Sequence, residues 1–117
     1  MFRNSDAGFD CQPGPAFRTI RVNENILVRY GSGDVLSGVG NDCLMVNNIL
    51  RPIGSLPSGN SSADPLFVDA ELHDYRVQAS SPAVDSFSGT LTPPNDHDFA
   101  GATRPQGDGY DIGAFEQ

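Results

Sequence analysis

Asn25-Ile26-Leu27 recurs as Asn48-Ile49-Leu50, and the same shift of 23 residues lays Ile20 over Cys43 and Val22 over Met45. Both copies sit in strand-like surroundings. Phe17-Arg18-Thr19-Ile20-Arg21-Val22 alternates apolar and polar side chains, the period of a half-buried strand, and Ile26 to Tyr30 continues it. Gly31 to Asp34 turns the chain, and Val35-Leu36 is a very short strand before the turn at Gly38 to Asp42. Cys43 to Leu50 is the longest apolar run, stopped by Pro52 and Gly54. Short strands and glycine turns repeating with a period in the twenties are the pattern of a β-solenoid, in which each repeat is one coil. In such a coil Asn25 and Asn48 stack at a bend, with their amides hydrogen-bonded along the axis. A shift one residue away fits almost as well, so a small β-sandwich stands beside the solenoid as the alternative.

Composition favours an all-β or loop-rich chain. The 117 residues have room for one domain with a modest core, and 13 Gly and 9 Pro interrupt nearly every segment, which disfavours long helices. A net charge of -8 argues against nucleic acid, whose phosphates need clustered cations. All seven basic residues are arginine, so no lysine serves as base, Schiff-base former or phosphate ligand. No run approaches the ~20 apolar residues of a membrane span. Met1 to Pro15 is polar and broken by Gly8, Pro13 and Gly14, and reads as a flexible arm with no visible signal peptide. The compartment stays open between cytoplasm and a longer exported parent. Cys11 and Cys43 fit no zinc spacing. They form one disulfide if the protein is extracellular; otherwise Cys43 is a small buried apolar residue and Cys11 a loop thiol.

Beyond the loop from Pro52 to Asp64, residues 64–69 and 74–78 read as strands. Ser81-Pro82 reads as the N-cap and first residue of a single helical turn. In the ending Asp98 to Gln117, Gly107 and Gly109 suit positive φ, Pro105 holds Arg104 extended, and Ile112 to Phe115 reads as a short terminal strand.

The ordered motifs Asp64-Pro-Leu-Phe-Val-Asp69, Asp74-Tyr-Arg-Val-Gln78, Ser81-Pro-Ala-Val-Asp85, Arg104-Pro105 and Asp111-Ile-Gly-Ala-Phe-Glu116 resemble the C-terminal end of right-handed parallel β-helix proteins. These are the pectate-lyase-like chains, which include many bacterial surface and secreted proteins. The resemblance implies a short right-handed parallel β-helix over residues 16–117, with 64–117 as a loop-rich closing segment. Full members stack many coils and carry catalysis on the middle ones; here about two precede the ending, so fold is implied without activity. The first coil then has no partner below it. That open end invites self-association through Phe17, Ile20, Val22, Ile26, Val28 and Tyr30; the alternative is that Met1 to Pro15 folds over it as a cap.

The expected function is therefore a non-catalytic module for self-assembly, with polysaccharide or protein as further partners. The alternative is a polysaccharide lyase or glycoside hydrolase whose site is incomplete in one chain. For that chemistry the candidates near the coils are Arg18, Arg21 and Arg29 with Glu24, Asp34 and Asp42, a sparse set. Asp96, Asp98 and Asp108, with Asp111, are the candidate calcium ligands, because alternate acids among glycines can present several oxygens to a hard cation. The competing reading has Arg104 pairing with Asp111 and Asp98 to lock the closing loop. His73 and His97 read as surface residues, and Arg76 as the ion-pair partner of Asp69 or Asp74.

Overall fold

The computed structural model describes residues 9–10, 20–29, 33, 36–37, 43–89 and 96–117. Among them the chain is all-β, without a helix. It divides into two compact units, Met1–Ala63 and Asp64–Gln117.

The first unit contains β1 (Phe9–Asp10), β2 (Ile20–Asn23), β3 (Ile26–Val28), β4 (Leu36–Ser37), β5 (Cys43–Val46) and β6 (Ile49–Arg51). Every pairing here is parallel: β1 with β4, β2 with β5, β3 with β6. The registers Ile20↔Cys43, Val22↔Met45, Ile26↔Ile49 and Leu27↔Leu50 are those of the 23-residue shift. Parallel neighbours cannot be joined by a tight hairpin and need a long crossover. Phe9–Asp10, within the stretch expected to be a loose arm, is a strand. The rest of that arm, with Phe17, Arg18, Tyr30, Asp34 and Asp42, lies outside the described residues.

Strand β5 alternates, with Cys43 and Met45 buried and Leu44 and Val46 facing solvent. Its neighbour β6 turns Ile49 and Leu50 fully inside. Met45 and Leu50 form the core of this unit, packed by Val22, Leu27 and Ile53. Between β5 and β6 the chain bends sharply at Asn47, whose φ of 56° is in the left-handed region; Glu24 does the same between β2 and β3 at 61°. A further bend comes at Gly59, φ 79°, after which Ser61 bridges Ile49 in parallel. Cys43 is disulfide-bonded, whereas Cys11, the other cysteine of the sequence, lies outside the described residues.

The second unit opens with an antiparallel hairpin of β7 (Phe67–Asp69) and β8 (Asp74–Val77), whose Phe67 and Tyr75 rings meet edge to face at 5.5 Å. The expected helical turn after Ser81 is a β-turn instead. Val84 N–H reaches the Ser81 carbonyl at 3.2 Å, while the Ser81 hydroxyl accepts from Ala83 N–H and donates to the Pro65 carbonyl at 2.7 Å. No strand forms at Ile112 to Phe115, whose main-chain groups go to separate places: Ile112 N–H to the Ala83 carbonyl, the Gly113 carbonyl to Arg104 and the Ala114 carbonyl to Phe99 N–H. Arg104 holds the carbonyls of Asp111 and Gly113, and the Glu116 and Asp98 carboxylates accept N–H groups of Asp111 and Glu116. Gly107 and Gly109 do not take positive φ; that falls to Gly101 and Gly113. Gly109 is needed for close approach instead: a Cβ there would sit 2.9 Å from the Asp85 carbonyl oxygen and 3.0 Å from that of Phe87. The Arg104–Pro105 peptide is cis.

Candidate functional site

Three left-handed residues of the first unit are each followed at once by an asparagine: Glu24-Asn25, Asn47-Asn48 and Gly59-Asn60. The three side chains bond one to the next and make one continuous ladder. Asn48 Oδ1 accepts Asn25 N–H at 2.9 Å and the Asn25 side-chain amide at 3.4 Å. One rung on, Asn60 Oδ1 accepts Asn48 N–H at 3.1 Å and the Asn48 amide at 2.8 Å. The amide nitrogens point back in the opposite sense, from Asn48 to the Val22 carbonyl at 2.7 Å and from Asn60 to the Met45 carbonyl at 2.8 Å. Val22 and Met45 stand three positions before Asn25 and Asn48, so the two steps repeat the same chemistry. Each amide also donates to the carbonyl two residues before it: Asn23, Val46 and Ser58.

Asn48, in the middle, is fully buried with both ends of its side chain engaged. Asn25 ends the ladder. Among the described residues nothing donates to its Oδ1, and no carbonyl from a preceding rung takes its amide.

Among the described residues the strands beside Asn25 are an edge in the same sense. Glu24 N–H bonds to the Val46 carbonyl, and the Val22 carbonyl accepts from Asn48. Strand alternation therefore directs the N–H and C=O groups of Arg21 and Asn23 away from β5. Burial falls off toward this edge. Met45, Ile49 and Leu50 are almost wholly enclosed, whereas their partners Val22, Ile26 and Leu27 are half-buried and Ile20, beneath Cys43, is 46% exposed. Of the residues expected to mediate self-association, Ile20 and Val22 lie on β2 and Ile26 and Val28 on β3; Phe17 and Tyr30 lie outside the described residues.

In the second unit the acids serve the backbone. Asp98 Oδ1 accepts Ala102 N–H at 2.7 Å, and its Oδ2 accepts Glu116 N–H at 3.1 Å. Asp111, buried, accepts Asp85 N–H at 2.8 Å and Gln117 N–H at 2.9 Å. Asp85 in turn accepts Gly109 N–H at 2.8 Å. Asp96 faces the His97 ring at 3.1 Å. Among the described residues no group of three or more His, Cys, Asp or Glu side chains is arranged for a metal ion, and Asp96, Asp98 and Asp108 form none.

Arg104 is central to the closing loop, but its ion pair is with Glu116, at 3.6 Å and with both side chains buried; Asp111 offers it a backbone carbonyl. Burial pushes the Glu116 carboxyl above its usual range, against the pull of Arg104 and two N–H donors. For Asp98 burial also acts upward, yet the N–H groups of Glu116, Ala102 and Ala100, with the charge of Arg104, outweigh it and hold the carboxyl low. Arg76 forms a two-pronged pair with Asp74 at 2.9 and 2.5 Å, which holds that carboxyl low on the exposed face of the hairpin. His73 bonds the Tyr75 hydroxyl at 3.0 Å on the surface. Arg21, Glu24 and Arg29, the described members of the lyase set, sit on β2, at the first bend and just after β3.

Sequence reasoning missed Asn60 and Glu116. Asn60 follows Asn48 by 12 residues, so a search at a period of 23 passes over it. The readable sign was local: Gly59-Asn60 repeats the left-handed residue plus asparagine of Asn47-Asn48. No family model, no curated protein and no solved structure matches the chain.

Proposed function

We propose that the chain is the closing end of a right-handed parallel β-helix and works as a non-catalytic assembly module, associating with a second copy through the β2–β3 edge. The observation that carries this reading is the burial gradient across one register. Ile49 and Leu50 are fully enclosed, while Ile26 and Leu27 directly below them are not. A rung that buries its apolar face only from one side leaves main-chain groups and hydrocarbon on the other, which a strand from another chain can cover. Leu44 and Val46, exposed on the outer side of β5, give that face an apolar character suited to protein more than to polysaccharide. The disulfide at Cys43 fits an exported parent, since such bonds persist in oxidising compartments. Sedimentation velocity from low to high micromolar concentration tests the assembly. Growth of a dimer or larger species is expected, and a monomer throughout that range sinks the reading.

A further inference from the structure

We propose that the β2–β3 edge selects its incoming strand by an asparagine: the strand runs parallel to β2 and extends the ladder by one rung beneath Asn25. This rests on the reading of that edge as the assembly surface and names the chemistry of what docks there. The ladder repeats one rule twice. The asparagine of each rung accepts, through Oδ1, the N–H and amide of the asparagine below it, and sends its own amide to the carbonyl three residues before that lower asparagine.

Applied once more at Asn25, the rule calls for a strand with an asparagine beneath Asn25 and a free carbonyl three residues earlier. Arg21 and Asn23 turn their main-chain groups to the same side. The occupant is thus a polypeptide strand recognised by backbone pairing and by one side-chain amide, with Val22 and Ile26 as the apolar surface it covers. Alanine in place of that asparagine keeps the main-chain N–H for Asn25 Oδ1 but removes the side-chain amide that also donates to it. Aspartate presents oxygen to oxygen.

The probe is a labelled peptide with the sequence of residues 43–51, carrying Cys43→Ser, which holds Asn48 at the ladder position and the Met45 carbonyl three residues before it. Its twin carries Asn48→Ala as well. Fluorescence anisotropy on the intact chain is expected to show saturable binding of the first and about tenfold weaker binding of the second, the loss of roughly one well-made hydrogen bond. On the Asn25→Ala chain, with folding checked by its melt, the two peptides are expected to bind alike. Arg21→Pro removes an outward N–H that β5 does not use, and is expected to abolish binding of both. Equal binding of the two peptides to the unaltered chain, no binding of either, or persistence of binding in Arg21→Pro overturns the proposal. Failure of the chain to self-associate is read separately, from sedimentation without peptide.

Discussion

Replacing Asn48 by alanine strikes the ladder where it is fully enclosed. The side chain accepts Asn25 N–H and donates to the carbonyls of Val22 and Val46 and to Asn60 Oδ1. After truncation Asn25 N–H has lost its acceptor, a cost of about 1–3 kcal/mol. The Val46 carbonyl keeps Glu24 N–H and Asn60 Oδ1 keeps Asn48 N–H, so those sites lose only part of their bonding, about 1 kcal/mol together. The Val22 carbonyl and the vacated volume add about another 1 kcal/mol. The expected destabilisation is therefore about 3–5 kcal/mol, a large share of the roughly 5–15 kcal/mol that holds a domain together. Asn25→Ala, at the exposed end, removes fewer bonds and is expected to cost about 1 kcal/mol. Urea titration followed by circular dichroism gives both numbers from the midpoints, provided the slopes agree. Equal costs for the two variants, or a cost under about 1 kcal/mol for Asn48→Ala, would refute the view that the ladder ties the rungs together.

Three further outcomes follow from the geometry. Arg104→Ala strands the buried Glu116 carboxylate and two carbonyls, and is expected to cost about 3–5 kcal/mol by urea titration, with Arg104→Lys recovering only part because an ammonium lacks the planar fork. Asp98, held below its ordinary 3.8, contributes stability that is full above the unfolded value and is lost as pH falls through the lower folded value. Melts of Asp98→Asn should therefore trail the parent at neutral pH and converge with it in acid; Glu116, raised, acts in the opposite sense, so Glu116→Gln should gain on the parent as pH rises through its carboxyl's raised value. Glu24→Asn places a residue tolerant of left-handed backbone at φ 61° and is expected to stabilise by about 0.5–1 kcal/mol, read as a raised melting midpoint.

Much of the first unit was legible because parallel strands paired at one fixed shift write their register into the sequence. Ile20 over Cys43 and Ile26 over Ile49 are neighbours in space at the same separation at which they are neighbours in pattern. Hairpin β7–β8 was equally visible, two apolar segments flanking a polar turn. The closing loop was less so. Its strength lies in carboxylates bonded to distant N–H groups, Asp111 to Asp85 and Asp98 to Glu116, and such pairings have no period. Arg104 was singled out as the only cation in its stretch, but choosing among four nearby acids required knowing which one the fold buries beside it. Of the aspartates read as candidate cation ligands, Asp98 and Asp111 have oxygens claimed by main-chain N–H groups.

The bends also separate contour length from position along the asparagine ladder. From Asn25 to Asn48 the chain spends 23 residues, from Asn48 to Asn60 only 12, and both journeys end in the same two-residue corner with the same amide contacts. The exposed stretch around Gly54 and Ser55, outside the paired strands, is detour, free to lengthen or shorten so long as the chain returns a left-handed residue and an asparagine at Gly59-Asn60. A graft of several residues into the exposed stretch around Gly54 and Ser55 should bulge sideways without disturbing the rungs, making this protein a natural platform for displaying foreign loops.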